Sequence, residues 1–288
     1  MLPPQNLQTR LESLTTFPPM PEIARRIIEL GPTPDVGELV AIVNLDPGLS
    51  AQMMRQAASP FYGYRGKVES VRDAVTRVLG IDRALRLAFG IAAGRGLLSP
   101  PEGPLGRKVI WVHAVYSAAL MQSLAGSIAL GIEASPGLCY LSGLLHNVGF
   151  LVLGHLFPED LNALNKLVTS EPGMPVIELE RRLFQSDHAE IGSWLMRKWN
   201  MPAEVITAVC CHHDSGYSGE HAPYANLALI SDRVLQRLDL GDAGSEDLPV
   251  GMLTDLGLDE DDVTGALQDL LEVRSDLDSL ARYLAAAA

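Results

Sequence analysis

The apolar residues of this chain recur three and four positions apart almost throughout, and no run keeps the strict alternation that a half-buried strand requires. In LSGLLHNVGFLVLG (141–154) the recurring positions are Leu141, Leu144, Leu145, Val148, Leu151 and Val152, the pattern of a largely buried helix. Proline and glycine punctuate such segments along the chain. The pattern therefore predicts an all-α fold.

The spacing predicts helices over 18–30, with Pro21 in the first turn, and over 35–47, stopped by Pro47. Further helices are expected over 48–60, with Ser50 as N-cap, over 70–80, with Ser70 and Asp73 in capping-box relation, and over 81–96. SPPEGPLG (99–106) has no apolar period and is the best boundary in the chain. Beyond it, helices are expected over 109–130, around His146, and over 158–168, 175–185, 187–199, 202–213 and 226–238. Asp187 and Glu190 form a capping box there, and Pro202 is expected at the first helical position. A loop (239–249) leads to one tail helix over 259–284, whose DEDD start suits the positive end of a helix dipole. The division expected is a helical region 1–100, a bundle 101–238 and an acidic loop with a C-terminal helix, 239–288.

With 288 residues, 47% of them hydrophobic, the chain can bury a large core, built from aliphatic side chains because aromatics are only 6%. The net charge of −13 is uneven: residues 1–108 carry 13 basic and 10 acidic side chains, residues 109–288 carry 9 and 25. The acidic part should repel nucleic acid and anionic membrane, so neither is expected as a partner. The three cysteines cannot all pair, and Cys210 and Cys211 are adjacent, which fits a reducing compartment. MLPPQNLQTR lacks a basic segment followed by an apolar run, so a cytoplasmic protein is expected. Residues 138–157 are about long enough to span a bilayer but contain His146, Asn147 and His155, and are better read as buried helix.

Six of the seven histidines fall on or beside predicted helices of the second part: His113, His146, His155, His188, His212 and His213. Asp232 lies on a later helix. A bundle can gather imidazoles and carboxylates from several helices into a metal site, although a single histidine on an apolar helix is more often a hydrogen-bonded core residue. Trp194 and Trp199 read as core or interface anchors. Phe61, Tyr62 and Tyr64, in SPFYGYRG, suit either a partner contact or packing.

The pieces WVHAV, GLLHNVGF, HAEIGSW, CCHHD and LISDRV, in this order, resemble the HD superfamily of metal-dependent phosphohydrolases, in which a histidine, a His-Asp pair and a distal aspartate hold divalent metal. By motif match these fall on His113, His146–Asn147 and Asp232. The HD-GYP relatives, which cleave cyclic dinucleotides, add residues matching His188 and His212–His213, and HHDSGYS (212–218) echoes their HHE…GYP element with Ser218 in place of proline. The first part, through LTTFPPMPEIARRIIEL, VGELVAIVNLDPGLSAQMMRQAASPFYGY and KVESVRDAVTRVLGIDRALRLAFG, resembles the HDOD family, which joins such a region to a degenerate HD-like bundle. That resemblance covers about residues 10–235.

The resemblance implies a signalling or regulatory module without catalysis, binding a protein or small-molecule partner, possible as an output module in a response-regulator pathway. Two departures from active relatives subtract catalytic parts. Asn147 replaces the charged aspartate with a neutral amide, and Phe150 stands where a lysine often follows the pair's glycine, Gly149. Three readings of the histidine set stay open: a metal-free polar network, a divalent transition metal of the iron or manganese class bound without turnover, and a metal-dependent phosphohydrolase acting on a nucleotide or cyclic dinucleotide. The metal-ligand candidates are His113, His146, Asn147, His188, His212, His213 and Asp232.

Overall fold

Short polar side chains and prolines set where the helices begin. In the computed structural model, which describes residues 7–12, 18–31, 33–97, 102–241 and 247–286, the chain is all-α, with no strand among those residues. The expected boundary at 99–106 and the loop at 239–249 lie partly outside the described residues.

The first part comprises α1 (Leu7–Glu12), α2 (Glu22–Glu29), α3 (Val36–Val43), α4 (Pro47–Ala57), α5 (Val71–Asp73) and α6 (Ile81–Gly94). Asp35 caps α3 in a reciprocal box closed by Glu38. The N-cap of α4 is Asp46, which accepts from the Gly48 and Leu49 N–H groups, and not Ser50 as expected. Pro47 fits the first helical position, which moves the start upstream and leaves Ser50 inside the helix, where its hydroxyl donates to the Val43 carbonyl at 3.0 Å. Pro21 likewise sits just before its helix and not in the first turn. Ser70 caps α5, which passes into π-helical turns over Ala74–Leu79 and stops at Gly80, whose φ of +72° favours glycine.

The second part holds α7 (Arg107–Ala125), α8 (Pro136–Leu145), α9 (Val148–Leu156), α10 (Pro158–Ser170), α11 (Val176–Phe184), α12 (His188–Lys198), α13 (Ala203–Cys211) and α14 (Ala222–Gln236). The chain breaks between α8 and α9 at His146 and Asn147. The long helix expected from 109 ends at Ala125, before Gly126. Asp187 accepts from the Glu190 N–H, while the Glu190 carboxylate takes the Ser186 hydroxyl, so only half of the expected box forms. Pro202 precedes its helix as the N-cap residue. Residues 136–156 are long and apolar enough to cross a membrane, but 94% of that window is buried inside the fold.

The expected single tail helix is α16 (Glu260–Glu272) and α17 (Arg274–Ala286), broken at Val273 and preceded by α15 (Val250–Leu256). Both tail helices pack on α7, and α17 also meets α4. Tyr116 donates to Asp278 at 2.8 Å, Arg55 donates to Ser279 at 3.2 Å, and the Arg95 guanidinium lies 5.8 Å from the centre of the Tyr283 ring. The tail thus fastens the first part to the second. Trp199 adds a tie between them by donating to the Pro18 carbonyl at 3.1 Å.

Close helix contact is built in by glycines. A Cβ at Gly149 would overlap the backbone of His188, and one at Gly192 would lie 3.1 Å from the Gly149 nitrogen. The starts of α9 and α12 meet there without side chains between them.

Two stability predictions follow from these contacts. Gly149→Ala should cost about 1–3 kcal/mol in urea unfolding, because the collision is with backbone and cannot be relieved by a rotamer change; a value inside 0.5 kcal/mol would mean the helices slide apart freely. Asp46→Ala should cost about 1–2 kcal/mol through the lost cap and the ion pair to Arg95. Burial works to raise the Asp46 carboxyl, but hydrogen bonds from Leu49 and Gly48 and the Arg95 charge outweigh it and hold it low. A carboxyl lowered in the folded state stabilises above its unfolded pKa of about 3.9 and loses that contribution as pH falls through the folded value. The gap between parent and variant should therefore be full from pH 5 upward and close on acidification, read by denaturation at a series of pH values.

Candidate metal centre

Helix ends deliver most of the site. His146 ends α8, His188 starts α12, His212 ends α13 and His213 follows it, while His113 and Asp232 project from within α7 and α14. Five imidazoles form a continuous cluster, in which His188, His212 and His213 close a triangle with the His212 and His213 ring centres 4.1 Å apart. Ring centres are 5.0 Å apart for His113–His146, 5.0 Å for His146–His212, 5.3 Å for His212–His188 and 4.9 Å for His188–His213. All but His213 are buried.

At one end, His113 Nε2 lies 3.0 Å from His146 Nε2 and 2.8 Å from Asp232 Oδ1, and His146 Nε2 lies 3.4 Å from the same oxygen. At the other, His188 Nε2 lies 3.2 Å from His212 Nε2 and 3.0 Å from His213 Nε2. Each group of three ligand atoms falls within 4.8 Å. His155, on α9, joins neither group.

The opposite ring nitrogens explain this orientation. His146 Nδ1 donates to the Gly143 carbonyl at 2.7 Å, and His212 Nδ1 donates to Val209 at 3.0 Å and Ala208 at 3.2 Å. Backbone carbonyls can only accept, so these bonds place the ring hydrogen on Nδ1 and turn the Nε2 lone pair inward. His188 Nδ1 meets Glu180 Oε2 at 2.6 Å. This arrangement, with the far nitrogen anchored and the near one presented, is what metal-binding histidines show.

Burial drives the His212 pKa far below the ordinary histidine value, reinforced by His213, His146 and His188 against an opposing pull from Asp232, so its imidazole is neutral. Burial would raise Asp232, yet the hydrogen bonds and charges of His113 and His146 outweigh it and keep the carboxylate ionised. Asn147 Oδ1 is buried and has no hydrogen-bond partner among the described residues. An ionised carboxylate, inward imidazole lone pairs and an unpartnered amide oxygen are the donor set a divalent cation takes, so the residues fit a metal.

The site has little room. The cavity that reaches His113 and Asn147 measures about 20 Å³ and is walled by Leu105, Ile110, Phe150 and Gly241 among others. That holds about one water molecule, against about 300–1,000 Å³ for a small-molecule pocket. Phe150 stacks on His188 with ring centres 4.1 Å apart and planes at 22°. A Cβ on Gly241 would press on the His113 ring at 3.3 Å, so that segment lies close over the site.

The structure thus brings together every predicted ligand: His113, His146 and Asp232 at one end, His188, His212 and His213 at the other, with Asn147 beside His113 in the small cavity. Sequence reasoning missed Glu180. It is fully buried on α11, in step with Val176 and Phe184 at four-residue spacing. A carboxylate inside an apolar stripe was the available signal, because such a group needs a buried partner.

Replacing Asn147 by Asp tests whether the ligands converge on a shared ion. The added charge should strengthen divalent-metal binding in calorimetry and, without metal, lower stability by about 1–3 kcal/mol through an uncompensated buried carboxylate. Unchanged affinity would mean that Asn147 does not face the ion.

Comparison with known proteins completes the assignment. The HDOD domain model matches residues 17–215. A crystal structure from Marinobacter aquaeolei VT8, of a protein provisionally assigned to signal transduction, is 34% identical with a TM-score of 0.81, covering 97% of this chain and 61% of that one. An HDOD domain protein of unknown function from Geobacter sulfurreducens shares the fold at 24% identity and a TM-score of 0.78, covering 95% of this chain and 96% of that one. An uncharacterised Treponema pallidum protein is 27% identical over 241 residues, 82% of this chain and 45% of that protein. The chain spans about half the length of that curated relative. With the matched model covering more than half of its length and the helical architecture agreeing, this chain belongs to the HDOD family.

Proposed function

We propose that this chain is a non-catalytic signalling module of the cytoplasm whose histidine cluster is a sealed structural centre and whose working surface is the groove between its first and second parts. It takes a protein or small-molecule partner there, without nucleic acid or membrane, and serves as an output module where it is joined to a receiver. The proposed units are 1–100 and 101–238, with 239–288 as the strap that joins them.

The observation that carries this reading is the contrast in space. Beside the ligand set the cavity is about 20 Å³, whereas a pocket of about 360 Å³ opens between α2 and α6 on one side and α8 and the start of α13 on the other. Ile27, Leu85, Phe89, Leu138 and Leu141 give it apolar walls, with Arg86 and Glu204 as polar groups. Junctions of this kind, apolar with few polar groups, are where ligands bind. The provisional signalling assignment of the Marinobacter aquaeolei relative points the same way.

A bound metal would supply positive charge to neutralise Asp232 and engage the imidazoles. Loss of the pair's aspartate, and Phe150 in place of a cation, leave a phosphate without its usual partners. The second reading, a divalent-metal phosphohydrolase for a nucleotide or cyclic dinucleotide, draws on the convergence of His113, His146 and Asp232.

The test is turnover of a panel of nucleoside phosphates and cyclic dinucleotides by protein loaded in turn with manganese, iron and zinc. The expected result is no product above a protein-free control. Product formation that disappears in Asp232→Ala would overturn the proposal in favour of the second reading.

A further inference from the structure

The segment SPFYGYRG, whose aromatics suit either a partner contact or packing, lines a cavity of about 570 Å³ away from the histidines. Phe61 and Tyr62, on the short turn Pro60–Tyr62, are half-buried with their rings edge-on at 5.1 Å, and they form its aromatic wall. Val78 reaches it from the π-helical turns over Ala74–Leu79, a geometry frequent at functional sites. Gln122 and Ser123 come from the end of α7, Arg83 from α6, and Asp269 and Glu272 from α16. First part, second part and tail thus all meet at one cavity, whose volume lies in the range of small-molecule sites.

The charges around this cavity come from different elements and do not neutralise one another. Arg83, from the first part, forms no ion pair among the described residues, and neither do Asp269 and Glu272, from the tail. Burial raises the Tyr62 pKa and the Arg83 charge opposes it, which places the guanidinium near that hydroxyl. Gln122 is 6% exposed, and its Oε1 has no hydrogen-bond partner among the described residues. A buried amide oxygen left in this state costs free energy that a ligand donor recovers. These groups narrow the ligand. A phosphate would gain one guanidinium and meet two carboxylates, and a polyamine would gain the carboxylates and meet Arg83. A small molecule carrying both signs satisfies both, and the aromatic wall takes its apolar part.

We propose that this cavity binds a zwitterionic α-amino acid with an apolar side chain, its carboxylate on Arg83, its ammonium on Asp269 and Glu272, and its side chain against Phe61 and Tyr62. Gln122 Oε1 accepts a further hydrogen bond from the ammonium. The cavity shares no lining residue with the groove proposed as the partner surface, so the inference stands independently of that reading. The two sites nevertheless have α6 in common: Arg83 lies about one helical turn before Arg86, which lines the groove. An amino acid held between Arg83 and α16 also ties the tail to the first part.

The test is isothermal titration calorimetry of the full chain with L-leucine, L-isoleucine, L-valine, L-methionine and L-phenylalanine. At least one should bind saturably. The N-acetyl derivative of the tightest binder lacks the ammonium, and its decarboxylated amine lacks the carboxylate. Each should bind about 10–100-fold more weakly, the size of one lost hydrogen bond to a charged group. Arg83→Gln should weaken the amino acid by a similar factor without weakening the amine. Asp269→Asn combined with Glu272→Gln should weaken it without weakening the N-acetyl derivative. All three positions are exposed, and far-UV circular dichroism establishes that each variant is folded before titration. No binding by any of these amino acids at millimolar concentration, or unchanged affinity in Arg83→Gln, would overturn the proposal. An N-acetyl derivative or amine that binds as tightly as the amino acid would overturn it in favour of a simple anion or cation site.

Discussion

The orientation of a few imidazole rings governs much else in this molecule. Backbone carbonyls of Gly143, Ala208 and Val209 hold the outer nitrogens of His146 and His212, and a buried carboxylate meets that of His188. The inner nitrogens are thereby forced together in a region that water hardly enters. Such a cluster is stable only where the helix ends carrying it are fixed, because a displacement of one ångström would separate the nitrogens or drive them into collision. The glycine contacts between α9 and α12, the break at His146–Asn147 and the tail helices braced across α7 all serve that requirement.

The same geometry works against hydrolysis at the histidine cluster while keeping its scaffold. A two-metal hydrolase needs a carboxylate between its metals and space for a phosphate beside them. Here the carboxylate is an amide, an aromatic ring occupies one wall, and among the described residues the cavity that reaches His113 and Asn147 is of the size of a water molecule. A larger cavity lies elsewhere, at the junction of the first and second parts, beside the packing of α6 against α8.

Much of this was legible in the residues. Periodicity gave the all-α architecture, and motif order placed His113, His146, Asn147, His188, His212, His213 and Asp232 near one another. Helix starts were less legible where two capping residues compete: Asp46 wins over Ser50 because Pro47 suits the first helical position. The tail's break at Val273 left no proline or glycine signal, and α16 and α17 pack on α7 as two separate helices. Glu180 escaped because its partner lies on the next helix, eight residues on, and only the fold shows that the two side chains meet. The closeness of Gly241 to His113 is likewise a tertiary fact, with no local pattern to announce it.

The most direct measurement of the central claim is the metal content of the full chain, purified without chelator or affinity metal and analysed by elemental mass spectrometry. A structural, non-catalytic centre predicts close to one divalent transition-metal ion per chain. Two iron or manganese ions per chain would contradict it by describing a hydrolase-type pair, and a metal-free protein that stays so after soaking in excess zinc would contradict it by showing that a shared proton alone holds the imidazoles together.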